Sequence, residues 1–241
     1  MTQKTIALDV EVADTRTSGS LCAVGVCVIA EERIAEEFYT LCNPGVPFDA
    51  FCVRVHGITA QMVEDAPDLG AVLTLLAPYL ENSLVVAHNA PFDAGQLRAA
   101  ARRTGIALPR FETCCTVRLA RKVFPGRTSY KLSQLRDLIG MPFEHHHALW
   151  DARACAQLYL RCRQEQARQA RIQQMSMDLK ALFAQKRDGE PIQSSLLTDG
   201  TLGGFGFGRP QRAPVEAPGS AQKREEQSLH EHKSSTDVWR Q

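Results

Sequence analysis

The sequence predicts an α/β protein in which helices cover a mixed β-sheet. Three apolar, strand-like segments follow one another near the start of the chain, and a fourth apolar segment is followed by helical patterns. Strands that come first and then alternate with helices indicate such a mixed, helix-covered sheet. The chain has 241 residues, 44% of them apolar, which is enough for one sizeable domain with an appendage or for two small domains.

The predicted strands are apolar runs bounded by charged or turn-forming residues. A short charged turn at residues 31–33 joins the second run to the third, so we expect the first three strands to form an antiparallel meander. The fourth run is short and wholly apolar. The predicted strands are residues 6–12, 22–30, 34–41 and 84–87.

Helices are predicted where apolar residues recur at every third or fourth position. A helical region with Pro67 inside it is expected after Phe51. Pro91 at a first helical position and Gly105 just beyond the last turn bound a later helix. The clearest helical patterns are residues 69–80, 91–103, 117–123, 132–139 and the segment from residue 149 onward.

The composition changes after Cys162, which predicts a domain over residues 1–162 and a different C-terminal part. Residues 163–188 are rich in Gln, Arg and Ala and predict an amphipathic helical extension. From residue 189 the chain is rich in Gly, Pro, Ser and charge, which is typical of a disordered tail. The apolar residues at helical spacing in the extension are Ile172, Met175, Leu179, Leu182 and Phe183.

Charge and cysteine usage exclude several classes of protein. The net charge of +1 provides no general attraction to nucleic acid, so such binding would need local basic patches or metal ions. No segment approaches the roughly 18 apolar residues of a membrane span, and no secretory cleavage site is visible, so we expect a cytoplasmic protein without membrane contact. The eight cysteines lack CxxC spacing, which favours reduced core thiols over disulfides or zinc.

Two acids interrupt the first predicted strand. Asp9 and Glu11 are two residues apart, so both side chains point to the same face of a strand. Carboxylates within an apolar strand are costly unless a cation offsets them, and a divalent metal with oxygen ligands is the natural candidate. A solvated face on an edge strand is the alternative that this short pattern leaves open.

Two further acids lie where loops enter helices. Asp93 shares a helical stripe with Leu97, and Asp151 shares one with Cys155, so both acids are expected to face the core. An acid in a first helical turn is also stabilised by the helix dipole, which remains an alternative for Asp93. Three consecutive histidines precede Asp151, and they could instead bind a transition metal or lie in a solvated loop.

Together the four carboxylates predict a site for two divalent cations, Mg²⁺ or Mn²⁺, because their summed charge of about −4 matches two such ions. Two ions about 3.5–4 Å apart activate a water and stabilise the attacking and leaving oxygens at phosphorus. A histidine in the loop ahead of Asp151 is the expected general base. The expected reaction is phosphodiester hydrolysis.

Over residues 4–162 the chain resembles the DnaQ-like 3′→5′ exonucleases of the DEDDh type. Asp9-x-Glu11 resembles their first motif, residues 88–93 the second and residues 146–152 the third. The resemblance implies an RNase H-like fold, with His146 as the catalytic base and His145 and His147 as bystanders. It also implies that four acids hold two metal ions: Asp9, Glu11, Asp93 and Asp151.

The resemblance also implies contacts with the 3′-terminal nucleotide. Val55 and His56 belong to a segment similar to the one that lines this nucleotide's pocket, although His56 could be an ordinary loop histidine. Asn89 belongs to the second motif, and Phe92 either stacks on a base or packs in the core. Val12 stands where the family usually has Thr, so we expect metal binding to survive and nucleotide contacts to differ.

The resulting hypothesis is a metal-dependent 3′→5′ exonuclease that releases nucleoside 5′-monophosphates from single-stranded or frayed DNA ends. The chain length and the extension resemble the proofreading subunit of a replicative polymerase, so residues 163–241 are expected to bind a polymerase or another protein. Residues 193–197 resemble a sliding-clamp peptide or match one by chance. The alternatives are an exoribonuclease of the same family, because sequence alone does not show how the 2′-hydroxyl is sensed, and a non-catalytic interaction protein.

Overall fold

A computed structural model describes residues 3–141 and 146–187 and contains a five-stranded mixed sheet with strand order β3-β2-β1-β4-β5. The first three strands form the expected antiparallel meander, while β4 is parallel to β1 and β5 is parallel to β4. The strands are β1 (Lys4–Val12), β2 (Leu21–Ala30), β3 (Arg33–Leu41), β4 (Ser83–Ala87) and β5 (Phe111–Cys115).

Helices cover both faces of the sheet, which confirms the predicted fold class. On one face, β1 packs against α2 and α3 through a core that includes Ile6 and Leu8. On the other face, Ala7 packs against Ala152 and Cys155 of α6. The helices are α1 (Ala50–His56), α2 (Leu69–Leu80), α3 (Ala90–Thr104), α4 (Thr116–Val123), α5 (Arg136–Ile139) and α6 (Ala148–Arg187).

The central position of β1 decides between the two interpretations of its acids. β1 is the third of five strands, so Asp9 and Glu11 do not lie on a solvated edge strand. Because side chains alternate along a strand, both acids share the face of Ala7, against which α6 packs. The acids therefore lie beyond the end of the α6-covered core.

A glycine in β2 allows α6 to approach this part of the sheet. Gly25 is the direct partner of Asp9 in the β1–β2 ladder. A Cβ atom at Gly25 would lie 2.4 Å from the carbonyl carbon and oxygen of Ala148, the first residue of α6. The missing side chain thus makes room for the first turn of α6, which carries Asp151.

Two predicted elements differ from the structure, and one strand was not predicted. Pro67 lies outside any helix because α1 ends at Gly57, with φ of 75°, and α2 begins only after the N-cap Asp68. Residues 132–139 are not one helix but a 3₁₀ turn, Leu132–Gln134, followed by α5. Strand β5 was not predicted, because FETCC is short and has no clear apolar alternation.

Helix α6 continues past Cys162, so the predicted extension prolongs the helix of the third motif. The apolar side chains of this extension are largely solvent-exposed, with Met175 at 70% and Phe183 at 58%. The predicted tail at residues 189–241, and the clamp-like residues 193–197 within it, lie outside the described residues.

All eight cysteines are free, as expected for reduced thiols, and six of them are buried. Only Cys114 and Cys115, at the end of β5, are partly exposed. Across residues 3–141 and 146–187, none of the helices has both the length and the apolar character needed to cross a lipid bilayer.

Candidate active site

One open cavity of about 600 Å³ brings most of the predicted site residues together. It lies where β1 and β4 end and where α3 and α6 begin. Val55 and His56 are not among its lining residues. The predicted residues that line it are Asp9, Glu11, Asn89, Phe92, Asp93, His146 and Asp151.

Local structure explains why α3 presents its acid here. Asn89 caps α3 in the left-handed region, with φ of 78°, and so turns the chain sharply from the end of β4 into the helix. Pro91 follows in the first turn, where its missing N–H is not needed. Asp93 then falls in the same first turn and is only 2% exposed, so it is both a helix-start acid and a cavity acid.

The acids are more buried than carboxylates usually are. Glu11 is 9% exposed, Asp93 2% and Asp151 4%, while Asp9 is partly exposed at the base of the cavity. Burial raises the pKa of Asp9 well above its usual value, and the charges of Asp93, Glu11 and Asp151 raise it further. Without a compensating cation, these surroundings favour the protonated form of the Asp9 carboxyl group.

Asp93 shows the same conflict between burial and ionisation. Burial raises the pKa of its carboxyl group, and the neighbouring Glu11 and Asp151 add to the rise. The backbone N–H groups of Asp93 and Val10 donate to the carboxylate and oppose part of it. Such oriented donors keep the oxygens in place, and a bound cation would supply the charge that two N–H groups do not.

The third motif places a histidine beside these acids. His146 has a left-handed backbone, with φ of 67°, and its N–H donates to Oδ2 of Asp151 at 2.8 Å. Ligand atoms of Glu11, His146 and Asp151 lie within 4.8 Å of one another. Two of these three residues, Glu11 and Asp151, offer the hard oxygen donors that suit Mg²⁺ or Mn²⁺, so they fit a divalent metal centre with an imidazole beside it.

His147, the next residue, does not line the cavity. The ring of His147 stacks on Tyr39 of β3, with centroids 4.8 Å apart and planes inclined by 24°. His145 lies outside the described residues. Among the described histidines of this loop, His146 is the one positioned to act in the cavity.

His56 is held by the protein backbone. Its Nε2 donates to the carbonyl of Val12 at 3.1 Å, and its Nδ1 accepts from the N–H of Ile58 at 3.0 Å. Burial lowers the pKa of His56, and the nearby His146 lowers it further, which agrees with a neutral ring in this role. The nucleotide contact predicted for Val55 and His56 stays a prediction.

Phe92 and Val12 have opposite surroundings. Phe92 is 44% exposed and lines the cavity, so the core alternative for its ring is wrong. Val12 is 9% exposed and packs in the main core, next to a register shift after Glu11. The residue that departs from the family pattern therefore packs inward, while its carbonyl binds His56.

The predicted site did not include several side chains that line the cavity. His88 bridges two elements: its Nδ1 bonds to Thr116 Oγ1 and its Nε2 donates to the carbonyl of Tyr130, each at 2.9 Å. Arg121 and Lys131 add positive charge to the cavity wall. Position within the second motif could have indicated His88, whereas only the folded loop brings Arg121 to the acids.

Comparison with known proteins shows that the chain is similar to exonucleases. The model of the RNase T exonuclease family matches residues 6–159. A protein of Mycobacterium tuberculosis, named as a bifunctional exonuclease/endonuclease, is 38% identical over 159 residues, which are 62% of this chain and 25% of that protein. The 3′-5′ exonuclease DinG of Bacillus subtilis is 31% identical over 161 residues, which are 66% of this chain and 17% of DinG.

The chain thus spans a quarter or less of the length of these two relatives. Among solved structures, exonuclease X in complex with 5′ overhanging duplex DNA superposes with a TM-score of 0.54 and 24% identity, over 66% of this chain and 90% of that one. This likeness shows the RNase H-like fold. Because the family model covers more than half of the sequence, the chain belongs to the RNase T exonuclease family.

Proposed function

We propose that the protein is a metal-dependent 3′→5′ exonuclease that releases nucleoside 5′-monophosphates from single-stranded or frayed DNA ends. The observation that carries the proposal is the meeting of four carboxylates and His146 in one open cavity. The polarity has support from the relative named as a 3′-5′ exonuclease. A DNA substrate has support from the fold of exonuclease X, which was solved with DNA.

In this mechanism four carboxylates would hold two divalent cations, Mg²⁺ or Mn²⁺. When bound, these cations would supply a lowered pKa for a water and positive charge near the phosphorus oxygens. His146 accepts the proton of the attacking water at its imidazole, which the left-handed turn and the N–H bond to Asp151 hold beside the acids. The residues that would hold the ions are Asp9, Glu11, Asp93 and Asp151.

The terminal nucleotide lies against α3. The exposed ring of Phe92 offers a stacking surface, and Asn89 at the start of the helix offers a polar side chain beside it. Base stacking on an aromatic ring tolerates any base, which suits an enzyme that removes each nucleotide in turn. Val55 and His56 complete this subsite in the proposal, reached across the end of β1.

The test compares oligonucleotides labelled at either end, as single-stranded DNA and as RNA, with Mg²⁺ and with chelator. We expect 3′-labelled DNA to release labelled mononucleotide at once, while 5′-labelled DNA shortens stepwise, and chelator stops both reactions. First release of a 5′ label would refute the polarity. Cleavage of RNA alone would establish the exoribonuclease alternative, and no cleavage of either would favour a non-catalytic interaction protein.

Residues 163–241 are proposed to bind a polymerase or another protein. The support within the described part of this segment is the exposure of apolar side chains on α6, among them Ile172 at 51% and Leu179 at 53%. Exposed apolar side chains that repeat along one helix are typical of helical interaction surfaces. A proofreading role would require a polymerase among the partners.

A further inference from the structure

One segment that contributes to the wall of the cavity is strongly basic. Residues 116–140 contain six basic residues and one acid, in a chain whose net charge is only +1. This segment comprises α4, the loop that follows it and α5. A nucleic acid approaching four carboxylates is repelled unless positive charge lies next to them, so the position of this segment bears directly on substrate binding.

Two of its cations line the cavity itself, Arg121 on α4 and Lys131 at the end of the loop. Both residues are solvent-exposed, and neither takes part in an ion pair found among the described residues. Lys122, the neighbour of Arg121, is equally exposed but does not line the cavity. Of these three exposed cations, Arg121 and Lys131 therefore line the cavity and Lys122 does not.

Arg121 is held in place by a fixed aromatic ring. Its guanidinium lies 5.5 Å from the ring centroid of Tyr130, within the range of a cation–π contact. The hydroxyl of Tyr130 donates to the carbonyl of Phe124 at 2.7 Å, and its carbonyl accepts from His88 at 2.9 Å. The ring is thus anchored at both ends, so Arg121 loses little freedom on binding a phosphate.

The loop is tied at a second point. Arg127 forms a bidentate ion pair with Asp137 of α5, the acid of this segment. The pair uses a basic residue that does not line the cavity and joins the loop to the helix behind it. Arg121 on α4 and Lys131 on the loop are consequently presented to the cavity by a braced segment.

We propose that Arg121 and Lys131 form a cationic clamp that binds backbone phosphates of a single-stranded nucleic acid on the 5′ side of the scissile bond. This inference rests on the proposed function. In a strand cut from its 3′ end, the terminal nucleotide contributes only the scissile phosphate, so every other phosphate lies on the 5′ side. Cations that border the metal-binding acids therefore meet the phosphates of the nucleotides that stay on the strand.

The experiment compares two substrates. Oligo(dT) has phosphates upstream of the scissile bond, whereas the p-nitrophenyl ester of thymidine 5′-monophosphate has none. For Arg121→Gln and for Lys131→Gln, we expect KM on oligo(dT) to rise roughly tenfold with little change in kcat. The salt dependence of log(kcat/KM) should become shallower by about 0.7 for each cation removed, and turnover of the ester should be unchanged.

Binding is measured separately, by fluorescence anisotropy of labelled oligo(dT) in chelator. Lys122→Gln is the matched control, because it removes one charge from an adjacent exposed residue outside the cavity. Arg121→Lys should recover part of the affinity, since it restores charge but not the planar group stacked on Tyr130.

Oligo(dT) affinity and KM equal to those of the wild type would overturn the clamp, as would an equal loss in the Lys122→Gln control. If Arg121→Gln and Lys131→Gln lowered kcat/KM on the ester as much as on oligo(dT), the cations would act at the scissile phosphate. The proposed binding of phosphates on the 5′ side would then be wrong. A wild type that cleaves neither substrate, yet binds oligo(dT) through both cations, would refute the proposed hydrolysis and support the clamp.

Discussion

Asp93 links the chemistry of the site to its stability. Because the pKa of this carboxyl is raised in the folded state, the native protein keeps a proton that the unfolded chain releases near 3.8. The stabilising effect of this retained proton is fully present below pH 3.8. It is lost as the pH rises towards the folded-state pKa. In chelator, the melting temperature should therefore fall between pH 5 and pH 8.

Asp93→Asn removes the free-energy cost of ionising this buried carboxyl group while keeping the shape of the side chain. We expect the variant to melt about 2 °C or more above the wild type in chelator at pH 8, which is about 1 kcal/mol for a chain of this size. The difference should shrink at pH 5, and Mg²⁺ should raise the melting temperature of the wild type alone. A variant less stable than the wild type in chelator at pH 8 would show that the Asp93 carboxylate is not strained there.

The two described histidines of the third motif are expected to have different roles, His146 in catalysis and His147 in packing. His146→Ala should lower kcat by about 10² to 10⁴, the usual range for loss of a general base. His147→Ala removes a ring that stacks on Tyr39 and should leave kcat near that of the wild type. If His147→Ala were the damaging change, the assignment of the base would be wrong.

The acids stand out in the sequence because they interrupt apolar patterns, whereas the choice of His146 came from the resemblance to a family. Neither source indicated Arg121, whose contact with Tyr130 depends on how the loop after α4 folds back. Nor did they show that both ring nitrogens of His56 bind the backbone. Contacts that depend on loop geometry leave no periodic signal in a sequence.

At the scale of elements, the site depends on how closely α6 approaches the sheet. Gly25→Ala would place a Cβ atom 2.4 Å from backbone atoms of Ala148 and 2.5 Å from the nitrogen of Leu149. Backbone does not yield as a flexible side chain does, so the first turn of α6 must move and carry Asp151 away from Asp9. A displacement of about 1 Å costs roughly 10²-fold in rate.

We therefore expect Gly25→Ala to lower kcat about 10²-fold and to weaken Mg²⁺ binding, measured by kinetics and by titration calorimetry. Gly95→Ala is the matched control, because nothing lies within 4 Å of a Cβ atom at this position of α3. Alanine within a helix should raise stability by about 0.5–1 kcal/mol. Wild-type kcat in Gly25→Ala would show that α6 tolerates a wider separation.

The elements were predictable where their patterns are long. The meander and α2 emerged from periodicity, whereas β5 has only five residues and half-buried cysteines at its end. Gly25 carried a signal of its own, since glycine inside an apolar strand often marks a close backbone approach. The break at Leu135 between the 3₁₀ turn and α5 had no such marker.

In the whole molecule, the positions of the charged residues matter more than the net charge. A net charge of +1 conceals a cluster of acids and two cations of a basic segment that line the same cavity. In the proposed function, the acids hold the metal ions at the scissile phosphate and the cations bind the rest of the strand. Composition predicted only that nucleic-acid binding would need local patches, and the fold determines where the patch lies.

The proposed hydrolysis depends on a metal site formed by the clustered carboxylates. The decisive experiment follows release of 5′-mononucleotide from 3′-labelled single-stranded DNA by the wild type, Asp9→Ala and Asp151→Ala, with and without Mg²⁺. We expect Mg²⁺-dependent release by the wild type and none by either variant, with unchanged circular dichroism. Undiminished release by either folded variant would show that these acids do not hold the catalytic metal.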